Sequence, residues 1–210
     1  MKKKLIRLRY TKWYQLLSRG IFKDHPIYAM ALGICSALAV TNRIENAIGM
    51  GVGVTLVLMA SSATTSMIRK YIPGRVRMVT YMVLISTFVI AFQLFLQAFF
   101  FDLSKQLGAY TGLIITNCIV MGRAEAFAVK NPVNFSMIDA FANGIGYTIT
   151  LLVLSFVREI LAFGTLLGHS VVPEGWVNWT VMAMAPGAFF VMALYIWVMR
   201  TAAKLDQEAA

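Results

Sequence analysis

The chain carries two thiols, Cys35 and Cys118, and both sit inside long apolar stretches. Cys35 lies nine residues past Pro26, about 13 Å along a helix that rises ~1.5 Å per residue. Cys118 lies midway through its own apolar segment, so both are expected near the middle of a bilayer. In such a place a free cysteine is most simply a small apolar side chain. A disulfide is the poorer reading, because nothing about a midplane pair implies contact with an oxidant. Two thiols cannot complete a four-thiolate metal site, but two from this chain and two from a partner can. Thiolates in lipid are costly unless a metal neutralises them, so a shared iron or iron–sulfur site is the reading with chemistry in it.

The elements that must hold these residues are legible in composition and charge. Of 210 residues 59% are hydrophobic and 13% charged, about half the charged share of an ordinary soluble domain. The apolar residues form blocks such as 47–67, 78–101 and 181–199, each close to the ~20 residues that cross a bilayer as a helix. Alternating ten-residue strand segments are absent from the sequence. These features predict an all-α membrane protein with six membrane segments near 26–41, 47–68, 78–101, 107–127, 139–161 and 180–200. They divide the chain into a basic N-terminal segment (1–24), a first three-helix half (25–102), a second half (103–203) and a polar tail (204–210).

Eight of the 19 Lys and Arg residues, from Lys2 to Lys23, precede the first apolar run. Interleaved Leu5, Leu8, Trp13, Leu16, Leu17 and Ile21 make this segment a basic amphipathic helix on anionic lipid, or else a disordered arm. It lacks the continuous apolar core of a cleavable signal. The net charge of +10 is therefore a membrane pattern rather than a nucleic-acid one. With the N-terminus inside, 16 basic residues fall on the cytoplasmic side, and only Arg43, Lys105 and Arg158 fall outside. Both termini are thus expected in the cytoplasm. The same count argues that the short first run crosses, since otherwise Arg69 and Arg77 would lie outside.

Three spans per half invert the second half relative to the first. Thr41-Asn42 recurs at Thr116-Asn117, and Arg43-x-Glu45 at Arg123-x-Glu125. Each half opens on a short, interrupted run with one cysteine, the mark of an inverted repeat with a midplane site. Arg123 and Glu125 are expected to pair with each other or with Arg43 and Glu45. Arg158 and Glu159 should mark the outer end of the fifth helix, and His25 and His169 should lie at interfaces. Gly49-x-x-x-Gly53 and Gly108-x-x-x-Gly112 allow close helix approach. Trp176, Trp179 and Trp197 read as interfacial anchors. Ser61-Ser-Ala-Thr-Thr65 lies within a helix without a preceding acidic residue, which rules out flavin attachment there. No phosphate loop or dinucleotide fingerprint appears, so NADH belongs elsewhere in any assembly.

Two stretches, Leu32-Gly-Ile-Cys-Ser-Ala-Leu-Ala-Val-Thr41 and Leu113-Ile-Ile-Thr-Asn-Cys-Ile-Val-Met-Gly-Arg-Ala-Glu-Ala-Phe-Ala128, resemble one family of small membrane subunits. That family includes the D subunit of the sodium-translocating NADH:quinone oxidoreductase and the E subunit of the Rnf complex. Phe101-Asp-Leu-Ser-Lys-Gln-Leu107 and Phe156-Val-Arg-Glu-Ile160 extend the resemblance over nearly all the chain beyond residue 24. Ser36 resembles the quinone-reductase form, whereas residues 1–23 lie outside the pattern. The resemblance implies a bacterial inner-membrane subunit of a sodium-translocating NADH:ubiquinone reductase, without an NADH or quinone site of its own. It implies that Cys35 and Cys118 give half the ligands of an iron–sulfur centre, of the 2Fe-2S kind, that carries electrons across the bilayer. The other half would come from a homologous subunit of opposite topology, with flavins in further subunits. The corresponding Rnf subunit, or an inverted-repeat ion transporter without a redox role, are the alternatives.

Overall fold

The computed structural model describes residues 25–99, 105, 108–166, 169–170 and 179–208. The predicted N-terminal amphipathic segment, Trp176 and most of the 101–107 stretch lie outside the described residues. The described chain is helical apart from loops and a two-residue antiparallel ladder, Thr165–Leu166 with His169–Ser170. The helices are α1 (Ile34–Val40), α2 (Ile44–Ile68), α3 (Arg77–Phe99), α4 (Thr111–Ile115), α5 (Cys118–Arg123), α6 (Val133–Phe163), α7 (Thr180–Ala183) and α8 (Ala185–Glu208). Among the described residues four helices are long and apolar enough to cross a membrane: α2, α3 with its leading turn, α6 and α8.

The remaining two predicted segments are not continuous helices, and the backbone shows why. Residues 25–33 fold as turns, with Ala31 at φ 55° and Gly33 at φ 77°, a left-handed conformation that breaks any helix. Only α1 follows. The depth of Cys35 therefore cannot be measured along a helix from Pro26, as the sequence spacing implies. In the fourth segment α4 stops at Ile115 and α5 restarts at Cys118, capped by the Asn117 side chain, which accepts from Ile119 N–H at 3.1 Å. α5 then widens into a π turn, Ala124–Ala128. The fifth helix runs longer than the predicted 139–161, because Pro132 starts it and Gly164, at φ 64°, stops it with an N–H bond to Ile160 O. The last segment is also interrupted, at Met184, whose ψ of 164° separates α7 from α8.

α2 and α6 form the centre. Their antiparallel crossing is so close that a Cβ on Gly51 would lie 2.6 Å from Thr148, and one on Gly144 would lie 2.6 Å from Thr55. Each threonine hydroxyl donates to the carbonyl four residues back in its own helix, Thr55 to Gly51 at 2.7 Å and Thr148 to Gly144 at 2.8 Å. Each hydroxyl is thereby satisfied at its own glycine while its side chain fills the gap over the glycine opposite. Spacing points to Gly49 and Gly53 as the contact pair, yet Gly53 meets Phe92 of α3, and Gly108 and Gly112 face open space. The crossing uses Gly51 and Gly144 because those residues point at the partner helix. Buried Ala47, Met50, Val54, Leu58, Tyr147, Leu151 and Leu154 continue the core along the crossing. α3 and α8 pack outside it and expose Val83, Leu94, Phe95, Phe189, Phe190 and Trp197, as suits helices facing lipid or another membrane chain.

Candidate functional site

α6 serves as a ruler for the two cysteine-bearing pieces. Tyr147, half-way along it, is fully buried, and its hydroxyl lies 2.7 Å from Ser36 Oγ. Ser36 donates to Gly33 O at 3.0 Å, and Asn117 Nδ2 donates to Ser36 Oγ at 3.4 Å. Gly33 in turn packs on Ile119 and on the Tyr147 ring, leaving no room for a Cβ. The N-terminal ends of α1 and α5 thus meet at the middle of α6. From there they part. The end of α1 reaches Arg158, which donates to Leu38 O at 3.2 Å and to Thr41 Oγ1 at 2.6 Å. The end of α5 carries Arg123, which pairs with Asp139, nearer the other end of α6.

Cys35 is the second residue of α1 and Cys118 the first of α5. Separated by 83 positions in the sequence (118 less 35), they are brought to one small cavity of about 20 Å³, shared with Gly33, Ser36, Leu113 and Asn117. Both thiols are free and exposed on the outside of the chain. The cavity is too small for a metal cluster, so any such group would lie at this surface and need a covering chain. Among the described residues no three His, Cys, Asp or Glu side chains cluster as a metal site. The donor set therefore fits half of a four-thiolate site and no more.

The chain belongs to the Rnf-Nqr family. The family, described as "Rnf-Nqr subunit, membrane protein", matches residues 13–196. A relative from Pseudomonas aeruginosa (strain LESB58), named as the D subunit of a Na(+)-translocating NADH-quinone reductase, is 46% identical over 200 residues, covering 93% of this chain and 89% of that one. A protein of the same name from Neisseria meningitidis is 48% identical over 191 residues, covering 89% and 92%. One from Chlamydia pneumoniae is 44% identical over 188, covering 85% and 88%. The family match begins at residue 13, so residues 13–23 of the basic segment are part of the Rnf-Nqr pattern rather than an addition to it.

Several expected placements change in this Rnf-Nqr chain. Arg123 pairs with neither Glu125 nor the Arg43/Glu45 pair. Its guanidinium is buried on Asp139, 5.4 Å over the Phe127 ring, and Glu125 instead meets Arg77 at 3.3 Å. The i, i+2 spacing of Arg123 and Glu125 puts them on different faces, and the partners come from other helices. The repeats expected from Thr41-Asn42 and Thr116-Asn117 do not correspond. The first pair follows the end of α1, while the second precedes the start of α5. What does correspond is Gly-x-x-x-Thr at Gly51/Thr55 and Gly144/Thr148, a recurrence hidden by glycines that read as ordinary packing residues.

Arg158 and Glu159 lie near the end of α6, as expected, but they are buried. Arg158 also donates to Met182 O at 3.2 Å and to Ala183 O and Met184 O at 3.4 Å, while Glu159 accepts from Ile44 N–H at 2.9 Å. One cation thus serves carbonyls at the ends of α1 and α7, and one carboxylate serves the N-terminus of α2, each on the favourable side of a helix dipole. His25 is not at an interface. Its Nδ1 accepts from Ile27 N–H at 3.2 Å, so its other nitrogen donates to Gly146 O at 3.1 Å, in the middle of α6. Trp179 and Trp197 are exposed, as interfacial anchors would be.

Proposed function

We propose that this chain is the D-type membrane subunit of a sodium-translocating NADH:quinone reductase. In this reading it is a multi-pass protein of the bacterial inner membrane with both termini in the cytoplasm. It carries electrons across the bilayer through an iron–sulfur centre, in step with sodium transport. Cys35 and Cys118 would hold half of that centre, and a homologous subunit of opposite topology would hold the rest. When bound, the centre supplies a one-electron carrier at mid-membrane. The single observation that carries the reading is the meeting of two distant cysteines at one exposed cavity, on short helices that run opposite ways from the middle of α6. The names of the relatives agree with it.

The chain's own residues divide the work. The thiolates bind. Gly33, Ser36 and Asn117 set where each thiol points. The buried apolar core around Tyr147 and Leu151 keeps water from reaching the pair from behind. The opposed α1 and α5 and the mutual Gly51/Thr148 and Gly144/Thr55 contacts support two inverted halves of three segments each. The 16 to 3 division of basic residues supports the orientation and a basic N-terminal segment on anionic lipid. An ion transporter without redox chemistry would need charged groups open to a substrate, whereas Arg123 and Arg158 are engaged by Asp139 and by backbone carbonyls.

The test is Cys35→Ala and Cys118→Ala in the assembled complex. Each should abolish iron at this centre and quinone-reductase electron flow while the subunit still inserts. Normal iron and activity with either alanine would remove the ligand assignment. Expressed without its partner, the subunit should be colourless and poor in iron, and gain both on co-expression.

A further inference from the structure

We propose that Tyr147, acting through Ser36 and Asn117, is a positioning residue that sets the spacing of Cys35 and Cys118. The inference rests on the proposed ligand role of the two cysteines, but it concerns geometry that the chain has with or without a metal.

Tyr147 is wholly buried, so its hydroxyl must find a partner inside the protein. Ser36 has one proton, and it goes to Gly33 O at 3.0 Å. The 2.7 Å bond between Tyr147 and Ser36 is then donated by the tyrosine, and Ser36 accepts a second bond from Asn117 Nδ2. Ser36 directly follows Cys35, and Asn117 directly precedes Cys118. One hydroxyl on a 31-residue helix is therefore tied to both ligand-bearing turns. The Asn117 side chain is held at its other end as well, by Ile119 N–H. Neither α1, with seven residues, nor α5, with six, is long enough to hold its own orientation in the absence of such ties. Phenylalanine would fill the same core volume, so packing alone does not call for the phenolic oxygen. A hydrogen bond that aims a metal ligand is ordinarily worth about ten-fold or more in metal affinity.

The variants are Tyr147→Phe, Ser36→Ala and their combination, with Tyr81→Phe as a control because that buried tyrosine lies on α3. In full-length subunit expressed without its partner, a short bis-maleimide should cross-link Cys35 to Cys118 within one chain. Tyr147→Phe and Ser36→Ala should each slow this by roughly ten-fold. The double variant should be no slower than the single ones, because all remove the same bond. In the assembled complex the same variants should lose iron to a chelator roughly ten-fold faster and show an altered electron paramagnetic resonance signal, while Tyr81→Phe behaves as wild type. If Tyr147→Phe does not assemble, Ser36→Ala decides the matter by the same two measurements. Wild-type cross-linking in both single variants, or strictly additive slowing in the double, would overturn the positioning role. Retention of iron by the cysteine-to-alanine variants would overturn the ligand assignment instead, and cross-linking would still judge the spacing.

Discussion

The two broken segments end in different ways, and the contrast shows how a short helix is finished inside a membrane. α1 stops abruptly at Val40, and its last carbonyls need donors where no water is available. Arg158 supplies them, reaching Leu38 O and Thr41 Oγ1 together with three carbonyls around the end of α7. α5 does not stop. It widens into the π turn at Ala124–Ala128, so its carbonyls stay within a helical ladder. Its arginine is free to meet a carboxylate, Asp139, instead of backbone. A buried cation can thus be neutralised by a charge or shared among dipoles. The first arrangement depends on one partner and the second on many.

Removing the single partner should do the most damage. Asp139→Ala leaves Arg123 buried without its counter-charge, and should cost about 3–5 kcal/mol, read as a fall in the unfolding midpoint of the detergent-solubilised subunit. Arg123→Met with Asp139→Leu should recover most of that loss, since apolar replacement of a buried pair is often neutral. No such rescue exists at the other end. Arg158→Met strands carbonyl acceptors that belong to the main chain, and should cost about 1–3 kcal/mol for each acceptor left unsatisfied, spread over α1 and α7. If Arg158→Met were as stable as wild type, the claim that it finishes both helices would fail.

Between these ends, the α2 and α6 crossing gives a smaller effect. Gly144→Ala forces a methyl to within 2.6 Å of Thr55 and should cost about 1–3 kcal/mol. Thr55→Ala in the same chain should restore part of it. Gly112→Ala should leave the isolated subunit unchanged, because nothing lies within 4 Å of its added methyl. A drop in stability there would mean that the α4 region packs against something on that face. The smallest effect belongs to Arg77 and Glu125, whose side chains are 38% and 40% exposed. Glu125→Gln should change stability by less than about 1 kcal/mol, and the change should shrink with added salt.

Much of this is legible in the residues. Apolar runs of helix length and the lopsided Lys and Arg count give a helical membrane chain directly, because hydropathy and length are local properties that lipid enforces. The two interrupted segments are also visible, since each is short and broken by Thr-Asn or Arg-x-Glu. The mismatches share one cause. Spacing gives Arg123, Glu125, Arg158 and His25 neighbours along the sequence, but their partners are Asp139, Arg77, backbone of three other elements, and Gly146. Spacing along one helix cannot say which face of another helix will arrive.

The sequence by itself determined that the chain is an all-helical membrane protein whose cysteine-bearing segments are the two that fail to run straight through. That follows from composition and backbone chemistry, which act over a few residues at a time. Tertiary structure alone decided that Cys35 and Cys118 open onto one cavity, and that Tyr147 reaches both through Ser36 and Asn117. It also decided that Gly51 and Gly144, rather than Gly49 and Gly108, carry the central crossing. These are matters of which faces meet, and they depend on turns at Gly33 and Asn117 that reverse or restart the chain far from the residues they bring together.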